Sequence, residues 1–89
     1  MIEHQITIIN KLGLHARAAA KLVSTASAYS SKIKIAYNGS EVDGKSIMSV
    51  MMLAASKGCE LNLKAEGDDE AAAIGAIIEL INNRFDEDE

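Results

Sequence analysis

The sequence predicts a two-layer α+β fold, an antiparallel sheet with helices packed on one face. Three observations carry this. Strand-like and helix-like hydrophobic periods follow one another in the order β-α-β-β-α-β-α. The strand segments alternate apolar and polar residues instead of being apolar throughout, which leaves one sheet face wet. The longer helix segments each carry an apolar stripe, which needs a sheet face to cover.

Residues 2–9 alternate, with Ile2, His4, Ile6 and Ile8 on one side and Glu3, Gln5 and Thr7 on the other. This is a half-buried strand, with His4 expected to be partly buried. Residues 16–28 form a helix whose stripe is Ala19, Leu22, Val23 and Ala26. Residues 32–37 alternate again, Ile33, Ile35 and Tyr37 against Lys32, Lys34 and Ala36. Asn38-Gly39 then signals a type I′ hairpin, because both central positions need positive φ, and a short return strand at about 40–43 follows. Residues 47–55 read as a short helix closed by Gly58. Residues 59–65 alternate with Cys59, Leu61, Leu63 and Ala65 inward, so Cys59 is expected to be a small core residue. Asp68 or Asp69 caps the last helix, whose stripe is Ile74, Ile77, Ile78 and Ile81, with Phe85 one turn further on.

The chemistry concentrates at Gly13-Leu14-His15-Ala16-Arg17, where the first strand pattern gives way to the first helix. A helix N-terminus has unsatisfied N–H groups and a partial positive charge, and so attracts anions. Its field disfavours imidazolium and favours a neutral, nucleophilic ring. Arg17 adds a planar fork of donors suited to phosphate oxygens. In the first helical turn it opposes the dipole at a cost of a few tenths to about 1 kcal/mol, which mildly favours a functional reason for it. On residue types alone, a loop histidine at a helix start also reads as a solvated side chain with local hydrogen bonds. Ser46, after Gly44-Lys45, reads as the N-cap of the short helix. Ile47, Met48, Val50, Met51, Met52 and Leu53 are six apolar residues within seven positions. One helix face cannot hold them all, so a methionine-rich part, Met48 and Met51 at least, is expected at the surface as a docking area.

Asn10-Lys11-Leu12-Gly13-Leu14-His15-Ala16-Arg17-Ala18-Ala19-Ala20, Gly44-Lys45-Ser46-Ile47-Met48-Ser49-Val50-Met51 and Gly67-Asp68-Asp69-Glu70 together resemble the HPr family. These are the histidine-containing phosphocarriers of the bacterial phosphoenolpyruvate-dependent phosphotransferase system. The resemblance runs from residue 2 to residue 84 and implies one domain over residues 1–89. It implies an open-faced β-sandwich whose four-stranded antiparallel sheet, in the order 1-4-2-3, is covered on one face by three helices. It implies that His15 accepts a phosphoryl group on Nδ1 from phosphorylated enzyme I and passes it to enzyme IIA of the sugar phosphotransferase system. Arg17 would then neutralise the phosphoryl charge, and the backbone N–H groups of Ala16, Arg17 and Ala18 would cradle its oxygens. Ser46 would be the regulatory target of an HPr kinase/phosphorylase. Leu14, Ala20, Ile47, Met48 and Met51 would contact partners. No cofactor is implied for this chain, since phosphoenolpyruvate and magnesium are used by enzyme I. One position departs from the family pattern: Ala18 stands where proline usually follows the arginine. Alanine keeps its N–H and is a good helix former, so the helix and its anion-binding capacity should survive. Three other readings stay open at this point. A nitrogen-branch carrier would use the same histidine, a regulatory module would bind phosphate without transfer, and an interaction domain would use the methionine patch alone.

Composition narrows the classes further. Hydrophobic residues make up 48% of the 89 and aromatic ones 3%, so the core must be aliphatic. The net charge of −4 gives no attraction to nucleic acid or to an anionic membrane. Single Cys59 excludes an internal disulfide and fits a reducing cytoplasm. Two histidines and one cysteine, far apart, argue against a metal site. No segment reads as a membrane span or a signal peptide. A carrier passing between partners is expected to be a monomer with small interfaces. The acidic end, residues 85–89, is expected to fray into solvent.

Overall fold

The computed structural model describes residues 1–88. In chain order these form β1 (Ile2–Thr7), α1 (Ala16–Ser27), β2 (Lys32–Tyr37), β3 (Ser40–Asp43), α2 (Ile47–Met52), β4 (Glu60–Glu66), α3 (Glu70–Asn82) and a 3-10 turn at Arg84–Asp86. The sheet order is β1-β4-β2-β3 with every neighbouring pair antiparallel. Element order and strand order are those expected.

The register shows why alternation is enough to build the core. Ile6 lies opposite Leu61, Ile33 opposite Ala65, and Leu63 opposite Ile35, which in turn faces Val42. These inward rows meet Leu22 and Ala26 of α1 and Ile74, Ile77 and Ile81 of α3 in one buried cluster. Each such aliphatic side chain contributes about 1.5–3 kcal/mol on leaving water. Asn38 and Gly39 take φ values of 53° and 85°, the left-handed pair a type I′ hairpin requires.

Several local expectations need correcting. His4 is exposed, although its register puts it opposite inward Leu63, because β1 is an edge strand with a neighbour on one side only. Helix α2 ends at Met52, three residues short of the expected end, and Gly58 does not close it. Ala54 turns left-handed there, at φ 52°, and so Leu53 and Ala55 are both buried. Cys59 is only half-buried, and its thiol donates to the Tyr37 hydroxyl oxygen at 3.0 Å.

Asp69 occupies the N-cap position of α3, but its carboxylate makes no cap hydrogen bond. It accepts instead from the Ser31 hydroxyl, from the Ser30 N–H at 2.9 Å and from the Ser31 N–H at 3.0 Å, tying α3 to the loop between α1 and β2. The Ser31 hydroxyl first, then the Ser30 N–H, hold this carboxyl at about 2, below its ordinary 3.8. A carboxyl depressed in the folded state adds stability that is fully present above the unfolded value and lost as pH falls through the folded one. Acid titration of stability should therefore steepen between pH 3.8 and about 2. Urea midpoints across that range should fall less steeply for Asp69→Asn; parallel curves for the two proteins would refute the assignment.

The acidic end differs most from expectation. Phe85 is fully buried, and the chain reaches it through a strained strap in which Arg84, Phe85 and Asp86 have φ values of 55°, 53° and 63°. Left-handed backbone costs an L-residue about 1–2 kcal/mol. Burial of the ring offsets that cost, as do a hydrogen bond from Lys21 Nζ to the Phe85 carbonyl at 2.8 Å and one from Asn83 Nδ2 to Asp86 Oδ1 at 2.8 Å. Phe85 and Glu87 are thus held against the domain, while Asp86 and Asp88 are exposed and Glu89 lies outside the described residues.

Candidate functional site

His15 is delivered by the loop between β1 and α1. Gly13 makes the approach possible. Its φ is 67°, and a Cβ there would stand 2.7 Å from both the Ala55 carbonyl oxygen and the Ser56 Cα. The loop can therefore press against the segment after α2, where the Leu14 N–H donates to the Ala55 carbonyl at 2.9 Å. The Leu14 side chain turns inward and is 4% exposed. Leu14 is thus a core residue that anchors the loop and offers no docking surface, contrary to expectation.

Anchored in this way, His15 becomes the N-cap of α1, at φ −74° and ψ 178°. Its carbonyl accepts from the Ala19 N–H at 2.8 Å, which starts the helix. Its ring makes no capping hydrogen bond. The N–H groups of Ala16, Arg17 and Ala18 consequently have no acceptor among the described residues. The Ala18 side chain is buried, so its methyl packs inward and its N–H remains at the helix mouth. Ala16, Arg17 and Ala20 are exposed. Ala16 and Ala20, four residues apart, extend one helical face away from the histidine.

The ring is partly exposed, at 26% of its side-chain surface, and it does not stand alone. Nε2 is hydrogen-bonded to Oε2 of Glu87, whose other oxygen accepts from Asn10 Nδ2 at 3.0 Å. Asn10 is fully buried and donates its second amide hydrogen to the Gly13 carbonyl at 2.8 Å. Its orientation follows, since the flipped amide would set its oxygen against two other acceptors. Burial pushes the Glu87 carboxyl up, but the Asn10 amide, the His15 ring and the Arg17 charge together hold it below its usual value. Lys11, Leu12, His15, Ala16, Arg17, Glu87 and Asp88 line an open basin of about 710 Å³.

The structure thus brings His15, Ala16, Arg17 and Ala18 together as the sequence suggested, and adds Asn10 and Glu87, which sequence reading missed. A signal for Glu87 was available. Phe85 continues the apolar stripe of α3, and a stripe that continues implies a chain that stays docked.

Ser46 is the N-cap of α2, accepting from the Ser49 N–H at 3.4 Å, with its hydroxyl half-buried. Val50 and Leu53 of the apolar run turn inward, while Ile47, Met48, Met51 and Met52 are 39%, 67%, 38% and 79% exposed. Leu12, 66% exposed at the His15 basin, is a further apolar surface residue not anticipated. Helix α2 packs against α1, so the methionine surface adjoins the helix that carries the histidine. No helix among the described residues is long and apolar enough to cross a membrane.

Comparison with known proteins follows this geometry closely. Residues 2–83 match the family model described as PTS HPr component phosphorylation site. The chain is 60% identical over 86 residues to the phosphocarrier protein HPr of Pseudomonas aeruginosa, covering 96% of each chain. It is 53% identical over 89 residues to the phosphocarrier protein HPr of Cupriavidus necator, covering all of both. Among solved structures, HPr-C-His from Thermoanaerobacter tengcongensis superposes with a TM-score of 0.96 at 48% identity over the whole of both chains. An HPr dimer from the same organism does so at 0.79 and 49% identity, covering 98% of this chain and 100% of that one.

Proposed function

The chain belongs to the HPr family, phosphocarrier proteins of the phosphotransferase system, and from that premise we propose that His15 is its phosphoryl acceptor. His15 takes the group on Nδ1 from phosphorylated enzyme I and yields it to an enzyme IIA of the sugar branch. The observation that carries this is the seat at the mouth of α1. Three backbone N–H groups without acceptors among the described residues, and the Arg17 guanidinium, stand beside a partly exposed imidazole. Such a seat stabilises three phosphoryl oxygens and leaves the ring open to a partner. The chain acts as a transient covalent carrier, not a free-standing enzyme, and both transfers are catalysed jointly with the partner. It needs no cofactor of its own; phosphoenolpyruvate and magnesium serve enzyme I. Incubation with all three should load an acid-labile, base-stable phosphate, and failure with an enzyme I shown to be active would refute the reading.

Ile47, Met48 and Met51, with Ala20 on α1, form the docking surface in this reading. Met48→Asp puts a charge where a partner must exclude water. It should lower the efficiency of phosphorylation by enzyme I at least about tenfold, with little change in thermal stability. Phosphorylation as fast as that of the unaltered chain would remove Met48 from the interface. Ser46 is the regulatory site for an HPr kinase/phosphorylase: its phosphate would meet the α2 N-terminus favourably while adding negative charge to the docking face. The partner contacts are brief, so the carrier works as a cytoplasmic monomer.

A further inference from the structure

We propose that Glu87 is a positioning residue for His15, selecting the ring tautomer whose free lone pair is on Nδ1. The proposal rests on the phosphocarrier reading above and concerns how that same site is prepared for reaction.

Its basis is the division of labour between the two oxygens of one carboxylate. Oε1 is committed to Asn10, which is fully buried and has spent its other amide hydrogen on Gly13. Oε2 faces His15 Nε2. A carboxylate offers only acceptors, so the neutral ring must present its hydrogen at Nε2. Nδ1 is left with its lone pair. The carboxylate itself is 15% exposed and is brought to the ring by the left-handed strap that buries Phe85. A strained segment retained beside a reactive group, with two partners fixing its end, is an arrangement that preorganises that group.

The chemistry balances simply. The Nδ1 lone pair forms the bond to phosphorus as the bond from phosphorus to the donor breaks, and that electron pair leaves with the donor. The Nε2 hydrogen stays in place, so the phosphorylated ring carries a positive charge directly opposite the Glu87 carboxylate. Onward transfer returns the electron pair to Nδ1 and the ring to neutrality. Arg17 lies on the same basin and serves the phosphoryl oxygens, and Lys11 and Asp88 are further charged residues that line it. Among the described residues, Glu87 is the one hydrogen-bonded to the ring.

The isosteric Glu87→Gln provides a sharp test. A glutamine has a single oxygen, and buried Asn10 claims it, since an unpaired buried donor is costly. Its NH2 group must then face Nε2, which moves the ring hydrogen to Nδ1 and removes the reacting lone pair. Ring-labelled 15N NMR of the unphosphorylated protein should show hydrogen at Nε2 in the unaltered chain, at Nδ1 in Glu87→Gln, and a mixture in Glu87→Ala. Phosphorylation by enzyme I should slow at least about tenfold in Glu87→Gln and less in Glu87→Ala. A purely structural role predicts the reverse order, because glutamine fills the same space. Two results would overturn the proposal. One is an unchanged ring tautomer in Glu87→Gln. The other is faster loading of Glu87→Ala, which would make the carboxylate a competitor for the phosphoryl seat. The NMR readout needs no phosphoryl donor, so it decides the role of Glu87 separately from whether enzyme I loads the chain.

Discussion

His15→Ala is expected to abolish the acid-labile, base-stable phosphate entirely while leaving a folded protein. The loss should be complete because His15 carries the one imidazole among the described residues that line the basin at the α1 mouth. His4, the second histidine, is on β1, opposite Leu63 in the sheet. The protein should still fold because the His15 ring is not part of the buried cluster and, among the described residues, its one side-chain partner is Glu87. Losing that hydrogen bond costs about 1–2 kcal/mol, a fraction of the stability of a domain this size. Ser46→Ala provides the control: a serine phosphate is an ester, stable in acid, so the histidine label should be unaffected. Label of the same lability persisting in His15→Ala would move the acceptor elsewhere and end the present assignment.

Phe85→Ala should lower unfolding stability by about 3–5 kcal/mol, the usual cost of deleting a buried ring and leaving its cavity. This is a large share of what an 89-residue domain has to lose. The site is unusual in that the ring also holds three consecutive left-handed residues in place. With the ring gone, that strain has less to oppose it, and the strap should release Glu87 from His15. Urea unfolding followed by circular dichroism checks the first part. A stability loss below about 1 kcal/mol would show that residues 85–88 contribute little to the folded state.

Much of this molecule is legible in its sequence because its strands are half-buried. Alternation at Ile33-Ile35 and Leu61-Leu63-Ala65 states both the period and the face, and Asn38-Gly39 states the turn between two strands. The helix carrying His15 is equally plain, since the strand period ends and the helical period begins across a glycine. These are local signals, and local geometry satisfies them. Strand order was not among them: pairing β4 between β1 and β2 depends on contacts some 30 to 60 residues apart and came only through the family resemblance. Helix ends were less legible for a related reason. Helix α2 stops where burial of Leu53 and Ala55 demands a left-handed Ala54, a residue no propensity would choose.

At the site, the sequence alone determined the histidine, its helix mouth and its arginine, all within five residues, and the surplus of apolar residues on α2 that forces some to the surface. Only the tertiary structure decided that Leu14 is an anchor and not a contact, that Asp69 ties two loops instead of capping its helix, and that Glu87 belongs to the histidine. Four acidic residues at a chain end read as solvated because charge prefers water. At Glu87 that preference was overridden by burial of Phe85 and by a fully buried asparagine 77 positions away in sequence, whose amide gave this carboxylate a partner inside the fold, while Asp86 and Asp88 stay exposed.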